Sequence, residues 1–311
     1  MSHRLSVVVP NYNGAHVLPR CLAALAAQTV APASVVVIDN GSTDGSDAAV
    51  ERDFPQVQVR RMGRNLGFGA AANLGVEGVS TELVAVLNSD ARPVPGWVEA
   101  VTGFADTAPE SAWSWGGPLL APDGLLESAG DCYSVAGFAY KHAQGELVER
   151  IPAEPYEVFA PPGAAPVFRR EVFQQLGGYD ARYFLYLEDI DLAFRGRARG
   201  YTCWLVPQAA VEHDLGGSGS ANVATWHIAR NAIWCWVSNV PELHPRLLWR
   251  TTRREHRDAR AKGVGAVFVR GRLVGLLALP RLLAHRRAER RQRVVPSAEL
   301  LRAVALPGQL D

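Results

Sequence analysis

Short apolar runs alternate with helical spacing over the first hundred residues. Residues 5–9 form an apolar run closed by Pro10, which reads as a buried parallel strand. Residues 16–28 place Val17, Leu18, Cys21, Leu22 and Leu25 on one helical face. Residues 35–38 are a second buried strand, ending in Asp39. Helix 44–52, the weaker strand 57–61, the Ala-rich helix 67–78 and strand 83–87 follow. That last strand runs into Asn88, Ser89 and Asp90, and Pro95 and Gly96 open a helix through Phe104. Strand–helix alternation with short loops predicts an α/β fold, with a mostly parallel central sheet flanked by helices. Ligands of such sheets bind beyond the carboxyl ends of the strands. Positions 10–13, 39–44 and 88–90 stand there.

The middle is less regular. Residues 113–156 are rich in Gly, Pro and aromatics and predict strands mixed with loops. Trp113, Trp115, Tyr133 and Tyr140 are expected to face an acceptor. Ala160-Pro161-Pro162-Gly163 interrupts the chain, after which strand 167–168 and helix 171–176 resume. Helix 188–199 begins with three carboxylates. Strand 211–214 precedes the glycine loop Gly216-Gly217-Ser218-Gly219-Ser220, a lid or a linker. Trp226, Arg230 and Trp234 recur every fourth residue on one more helix.

Charge divides the chain further. The 311 residues have a formal net charge of +1, which excludes a globally basic nucleic-acid binder and an acidic tail protein. Residues 1–245 carry 16 basic and 26 acidic side chains, whereas residues 246–311 carry 16 and 5. The expected organisation is a body over 1–245, with nucleotide binding in about 1–110 and acceptor and catalytic functions in 111–245, plus an Arg-rich helical extension over 246–311. Four scattered cysteines without a CxxC pair form neither a disulfide framework nor a zinc site, and fit a reducing cytosol. The chain enters a strand by residue 5, leaving no room for a signal peptide. No apolar run reaches the roughly 18–20 residues of a membrane span. Arginines interrupting the apolar runs 264–269 and 273–279 suit a helix lying in an anionic headgroup plane. Packing on the acidic body and an oligomer contact are the alternatives.

Four constellations carry chemistry. Pro10-Asn11-Tyr12-Asn13 and Asp39-Asn40-Gly41-Ser42-Thr43-Asp44-Gly45 offer a fixed acceptor beside helix-start amides, suited to a base or ribose, or else a capped turn. Asn88-Ser89-Asp90 places a carboxylate at a buried strand's end, where it holds a divalent ion or caps a helix. Glu188, Asp189 and Asp191 crowd carboxylates behind an aromatic-apolar run, as a general base or as an acidic first turn. His213 follows a short strand, as a metal ligand or a structural histidine.

Together and in this order, VVVPNYNG, VVVIDNGSTDGS, NLGFGAAANLG, VAVLNSDARPVPGW, GGYDARYFLYLEDIDLAFR and VEHDLGGSGS resemble the family 2 glycosyltransferases, which use the GT-A fold. The bacterial rhamnosyltransferase-like branch is the nearest in pattern. The resemblance spans residues 5 to about 220. It implies that Pro10, Asn11, Asn13 and Asp39 hold the donor nucleotide, and that Asn65, Asn73, Asn88 and Ser89 lie in donor-contacting segments. It implies Asp90 as the carboxylate for Mg²⁺ or Mn²⁺, His213 as a further metal or diphosphate contact, and Asp189 as the base with Glu188 and Asp191 beside it. Asn88 stands where many relatives have Asp, which weakens the expected metal site. The implied activity is inverting transfer from a nucleoside-diphosphate sugar to a glycan or lipid-linked glycan hydroxyl. dTDP-rhamnose is the expected donor and a UDP-sugar the alternative; an inactive nucleotide-sugar-binding scaffold is the other class. The expected place is the cytoplasm, on the inner face of the plasma membrane through residues 246–311. No motif sets an oligomeric state.

Overall fold

A computed structural model describes residues 4–214 and 220–304. Its strands are β1 (Leu5–Asn11), β2 (Ser34–Asp39), β3 (Gln58–Arg61), β4 (Leu83–Val86), β5 (Ala91–Pro93), β6 (Ala112–Gly116), β7 (Leu119–Leu120), β8 (Leu126–Ser128), β9 (Asp131–Ser134), β10 (Phe138–Lys141), β11 (Tyr156–Val158), β12 (Val167–Arg169), β13 (Thr202–Leu205) and β14 (Val211–His213). Its helices are α1 (Leu18–Ala26), α2 (Ser46–Asp53), α3 (Phe68–Glu77), α4 (Trp97–Thr107), α5 (Arg170–Gln175), α6 (Glu188–Ala198), α7 (Ala221–Asn239), α8 (Pro245–Ala261), α9 (Gly265–Leu277), α10 (Leu279–Gln292) and α11 (Ser297–Val304). Among the described residues no helix is long and apolar enough to cross a membrane. Cys21, Cys203 and Cys235 are buried, and Cys132 is partly buried. Most of the glycine loop after Asp214, residues 215–219, lies outside the described residues.

Contacts divide the chain into two compact units. The first comprises residues 1–131, 141–181 and 202–218. Its eight-stranded sheet has the order β11-β13-β6-β12-β4-β1-β2-β3. β1 lies parallel to β2 and β4, β2 to β3, and β6 to β13. β12 runs antiparallel between β4 and β6, and β11 antiparallel to β13. The apolar runs of β1 and β4 are buried throughout, as strands covered on both faces must be. Gly75 lets α3 settle on β1, since a Cβ there would stand 2.2 Å from Val8 Cγ1. A four-stranded sheet, β5-β14-β7-β8, accompanies the large one. Trp113 and Trp115 do not face an acceptor. Both sit in β6, an interior strand, and are buried. The Trp115 indole donates to the Val101 carbonyl at 3.0 Å, and Trp113 packs on Phe168 at 5.4 Å between ring centroids.

The second unit comprises residues 132–140, 182–201 and 219–311. α7 and α9 pack closely because Gly271 and Gly275 face α7; Cβ atoms there would stand 2.7 Å from the Trp226 carbonyl and 2.9 Å from the Arg230 carbonyl. Several arginines of the basic helices serve this packing. Arg286 is buried and donates to the carbonyls of Val237, Val240 and Pro241 at 2.8, 2.6 and 2.8 Å, closing the carboxyl end of α7. Burial pulls its guanidinium down to about 10, and the nearby Arg290 and Arg293 charges add to that. Arg272 is buried against Glu255. Tyr133 is also buried, edge-on to Phe194 at 5.2 Å, and so is not exposed to an acceptor either.

Candidate functional site

In the first unit, the ends of β1 and β2 are tied together by short polar side chains. The Asn11 amide donates to Asp39 Oδ1 at 3.4 Å, Ser42 Oγ at 3.2 Å and Ser46 Oγ at 2.9 Å. Its carbonyl oxygen is buried without a partner. Asn13 takes a left-handed turn (φ 53°), donates its backbone N–H to Ser42 Oγ and accepts from the Thr43 N–H. Asp39 Oδ2 accepts from the Ser42 N–H at 3.2 Å. Pro10 is held in register opposite Ile38. A Cβ at Gly14 would stand 2.2 Å from Asn11 Oδ1 and 3.4 Å from Ser89 Oγ, so this loop approaches the end of β4 closely.

The structure brings some expected donor residues here and employs others elsewhere. Asn65 is fastened through Asn40, whose amide donates to Asn65 Oδ1 and to the Gly67 carbonyl, both at 3.1 Å. Asn73 spends both ends of its amide on the backbone of Tyr179, at 2.8 and 2.9 Å, as a strand neighbour would. Asn88 is held by its backbone, donating to the Ala164 carbonyl and accepting from the Ala91 N–H.

Strand pairing explains the meeting of Asp90 and His213. β14 runs antiparallel to β5 with His213 opposite Ala91, which sets the histidine beside the residue before it. His213 Nε2 lies 3.2 Å from Asp90 Oδ1, and Nδ1 lies 2.7 Å from Glu127 Oε2. Glu127 is buried and also pairs with Lys141. Burial alone would push the imidazole down, but the two carboxylates outweigh it and raise His213 to about 9. Burial likewise opposes ionisation of Glu127, yet its bonds to His213 and Lys141 bring it below the ordinary glutamate value. Among the described residues no group of three or more His, Cys, Asp or Glu side chains forms a ready metal cage. One carboxylate and one imidazole are nevertheless a suitable protein donor set for a divalent ion whose remaining ligands are diphosphate oxygens and water. The buried Glu127 fits it, because ligating histidines commonly bond a carboxylate through the other ring nitrogen. Glu127 and Lys141 belong to no motif, so sequence reasoning passes over them.

The second unit carries Glu188, Asp189 and Asp191 on the first turn of α6. The preceding backbone is strained: Phe184, Tyr186 and Leu187 have φ of 67°, 69° and 69°, a region unfavourable to side chains. Asn231 Nδ2 reaches the carbonyls of Tyr183, Leu185 and Tyr186 at 3.1, 2.8 and 2.7 Å. Arg230 donates to the Tyr183 carbonyl at 2.5 Å while its guanidinium lies 4.7 and 4.5 Å from the Trp226 and Trp234 rings. That accounts for the every-fourth-residue pattern on α7. Phe184 stacks on His227 with centroids 5.2 Å apart.

The three carboxylates have different surroundings. Asp191 is fully buried and accepts from Tyr183 Oη at 3.2 Å, Asn239 Nδ2 at 2.8 Å and Arg195 Nε at 2.9 Å. Glu188 is buried with Oε2 unpartnered. Burial first, then the Asp189 and Asp191 charges, push its carboxyl up to about 8. Asp189 is not among the buried residues, and its Oδ1 accepts from the Ile190 N–H at 2.8 Å.

The model of the family described as glycosyl transferase family 2 matches residues 6–116. The N-acetylglucosaminyl-diphospho-decaprenol L-rhamnosyltransferase of Mycobacterium tuberculosis is 33% identical over 253 residues, covering 74% of this chain and 81% of its own. The pre-mycofactocin glycosyltransferase of the same organism is 32% identical over 222 residues, covering 68% of this chain and 43% of its own. Two solved structures share the fold. A mannosyltransferase from Pyrobaculum calidifontis, in complex with GDP-Man and Mn²⁺, matches with a TM-score of 0.54 at 18% identity, over 96% of this chain and 78% of that one. GalNAc-T7 with UDP, GalNAc and Mn²⁺ matches at 0.58 and 19% identity, over 74% of this chain and 47% of that one.

Proposed function

This chain belongs to glycosyl transferase family 2, as a nucleotide-sugar glycosyltransferase with the GT-A fold, and from that premise we propose that it transfers L-rhamnose from dTDP-rhamnose to a hydroxyl of a lipid-linked glycan, with inversion. The observation that carries the reading is the Asp90–His213 contact, a carboxylate and an imidazole brought together by the β5–β14 pairing at a strand end. The sugar and acceptor class follow the mycobacterial rhamnosyltransferase, which this chain parallels over most of its length.

Asn11, Asn13 and Asp39, with Pro10 holding the strand end, bind the nucleotide. Asn65, Asn88 and Ser89 shape the loops around it, and Asn73 holds the backbone of Tyr179. Asp90 and His213 would hold Mg²⁺ or Mn²⁺, which supplies charge neutralisation for the departing diphosphate. To ligate, His213 releases its Nε2 proton while Glu127 keeps Nδ1 fixed. Asp189 accepts the acceptor hydroxyl proton as that oxygen bonds to the anomeric carbon and the carbon–phosphate oxygen bond breaks. Glu188 and Asp191 hold the first turn of α6. A lipid-linked acceptor assigns the work to the inner face of the plasma membrane.

The direct test incubates the full chain and Mn²⁺ with a lipid-diphosphate GlcNAc acceptor and dTDP-rhamnose or UDP-sugars. Disaccharide formation with dTDP-rhamnose is expected. Turnover with a UDP-sugar alone would replace the donor, and no turnover with any would overturn the reading. Glu127→Gln keeps the side-chain shape but removes the charge behind His213. It is expected to weaken Mn²⁺ affinity about 10–100-fold, measured as free Mn²⁺ by electron paramagnetic resonance. Unchanged affinity would take Glu127 out of the metal's support.

A further inference from the structure

α9 has two unlike faces. Gly271 and Gly275 lie against α7, and Phe268 and Arg272 are buried on the same side. The other side is apolar and open. Leu273 is 55% exposed, Val274 40%, Leu276 44% and Leu277 81%, with Val269 before them at 39% and Leu283 of α10 at 41%. Single exposed leucines are ordinary, but a continuous row marks an interaction surface. Between Arg270 and Arg281 no exposed side chain carries a charge, because Arg272 is committed to Glu255.

We propose that this α9–α10 face docks on an anionic bilayer, its leucines entering the headgroup–acyl boundary and Arg270, Arg281, Arg287 and Arg291 meeting lipid phosphates. All four arginines are exposed. A 13-residue helix is too short to span a bilayer, and an apolar stripe flanked by cations suits the interfacial plane instead. Charge complementarity selects the occupant. Pairing this face with a second copy would set like-charged arginines beside one another, whereas anionic headgroups neutralise them. The proposal rests on the lipid-linked acceptor reading only for its purpose; its observations are the exposed leucines and arginines. Arg272 and Arg286 of the basic stretch are structural, so docking falls to the exposed arginines and the leucine row.

The full chain is sedimented with phosphatidylglycerol-containing vesicles and with pure phosphatidylcholine vesicles. Wild type is expected to pellet with the first and weakly with the second. Leu276→Glu/Leu277→Glu should lower partition at least about tenfold with thermal stability unchanged, since both side chains face solvent. Arg270→Gln and Arg281→Gln should each lower binding to anionic vesicles about fivefold. Equal pelleting of wild type and the leucine variant overturns the proposal. So does a wild-type dimer, seen by light scattering, that the leucine variant dissolves without changing vesicle binding. Transfer to a short-chain soluble acceptor is measured in parallel. Its loss in wild type would strike the transferase reading alone, and lost vesicle binding with transfer intact would strike the docking face alone.

Discussion

Asp189→Asn is expected to lower sugar transfer by about 10²–10⁴-fold, the range general-base catalysis supplies, while donor binding stays within a few-fold of wild type. The substitution preserves shape and the bond from the Ile190 N–H to Oδ1, and removes the proton-accepting charge. The neighbouring carboxylates are poor substitutes. Asp191 is fully buried, with three donors on its two oxygens, so accepting a substrate proton would break a satisfied network. Glu188, raised to about 8 by burial and by its two acidic neighbours, is largely protonated near neutral pH. It begins to act as a base only as pH rises through that value, so Glu188→Gln should retain turnover at pH 7. The check is single-turnover transfer beside calorimetric titration of the donor diphosphate. Full turnover in Asp189→Asn, with loss in Glu188→Gln, would move the base to Glu188.

Much of this arrangement was legible in the sequence, for a physical reason. A buried strand must be apolar on both faces, so residues 5–9 and 83–87 announce β1 and β4, and polar residues that end neighbouring strands, Asn11 and Asp39, do meet at one edge of the sheet. The charge asymmetry and apolar runs likewise announce helices over residues 246–304, and α8 to α11 are there. What stayed hidden depends on tertiary approach. Glu127 reaches His213 across 86 positions, and its burial beside Lys141 has no local signature. Trp113 and Trp115 stand in a stretch expected to face an acceptor, but β6 lies inside the sheet and buries both. The arginines of the basic stretch read as one charged surface; Arg272 and Arg286 turn inward because Glu255 and the end of α7 offer partners that sequence distance conceals. The Trp226–Arg230–Trp234 spacing was visible, yet its purpose was not, since the Tyr183 carbonyl that Arg230 serves lies 47 residues earlier.

Asn231→Leu is expected to cost about 2–4 kcal/mol of stability and to reduce turnover by at least tenfold. Leucine keeps the branched four-heavy-atom skeleton of the fully buried asparagine, with bulkier ends, so the change chiefly removes the amide. That amide gathers three carbonyls of a segment in which Phe184, Tyr186 and Leu187 occupy left-handed backbone, each at about 1 kcal/mol or more above the ordinary regions. Such a conformation persists only if its surroundings over-determine it. Without the donor the segment relaxes toward negative φ, and the residue that moves with it is Leu187, the N-cap of α6, directly before Glu188 and Asp189. Base placement is sensitive to shifts of an ångström, so turnover falls even in molecules that remain folded. Thermal unfolding reads the first effect, and kcat at a temperature well below the variant's midpoint reads the second. A lowered midpoint with unchanged kcat would show that the strained turn serves folding alone. The coupled loss expected here makes Asn231 the residue that converts the strain before α6 into a fixed position for Asp189.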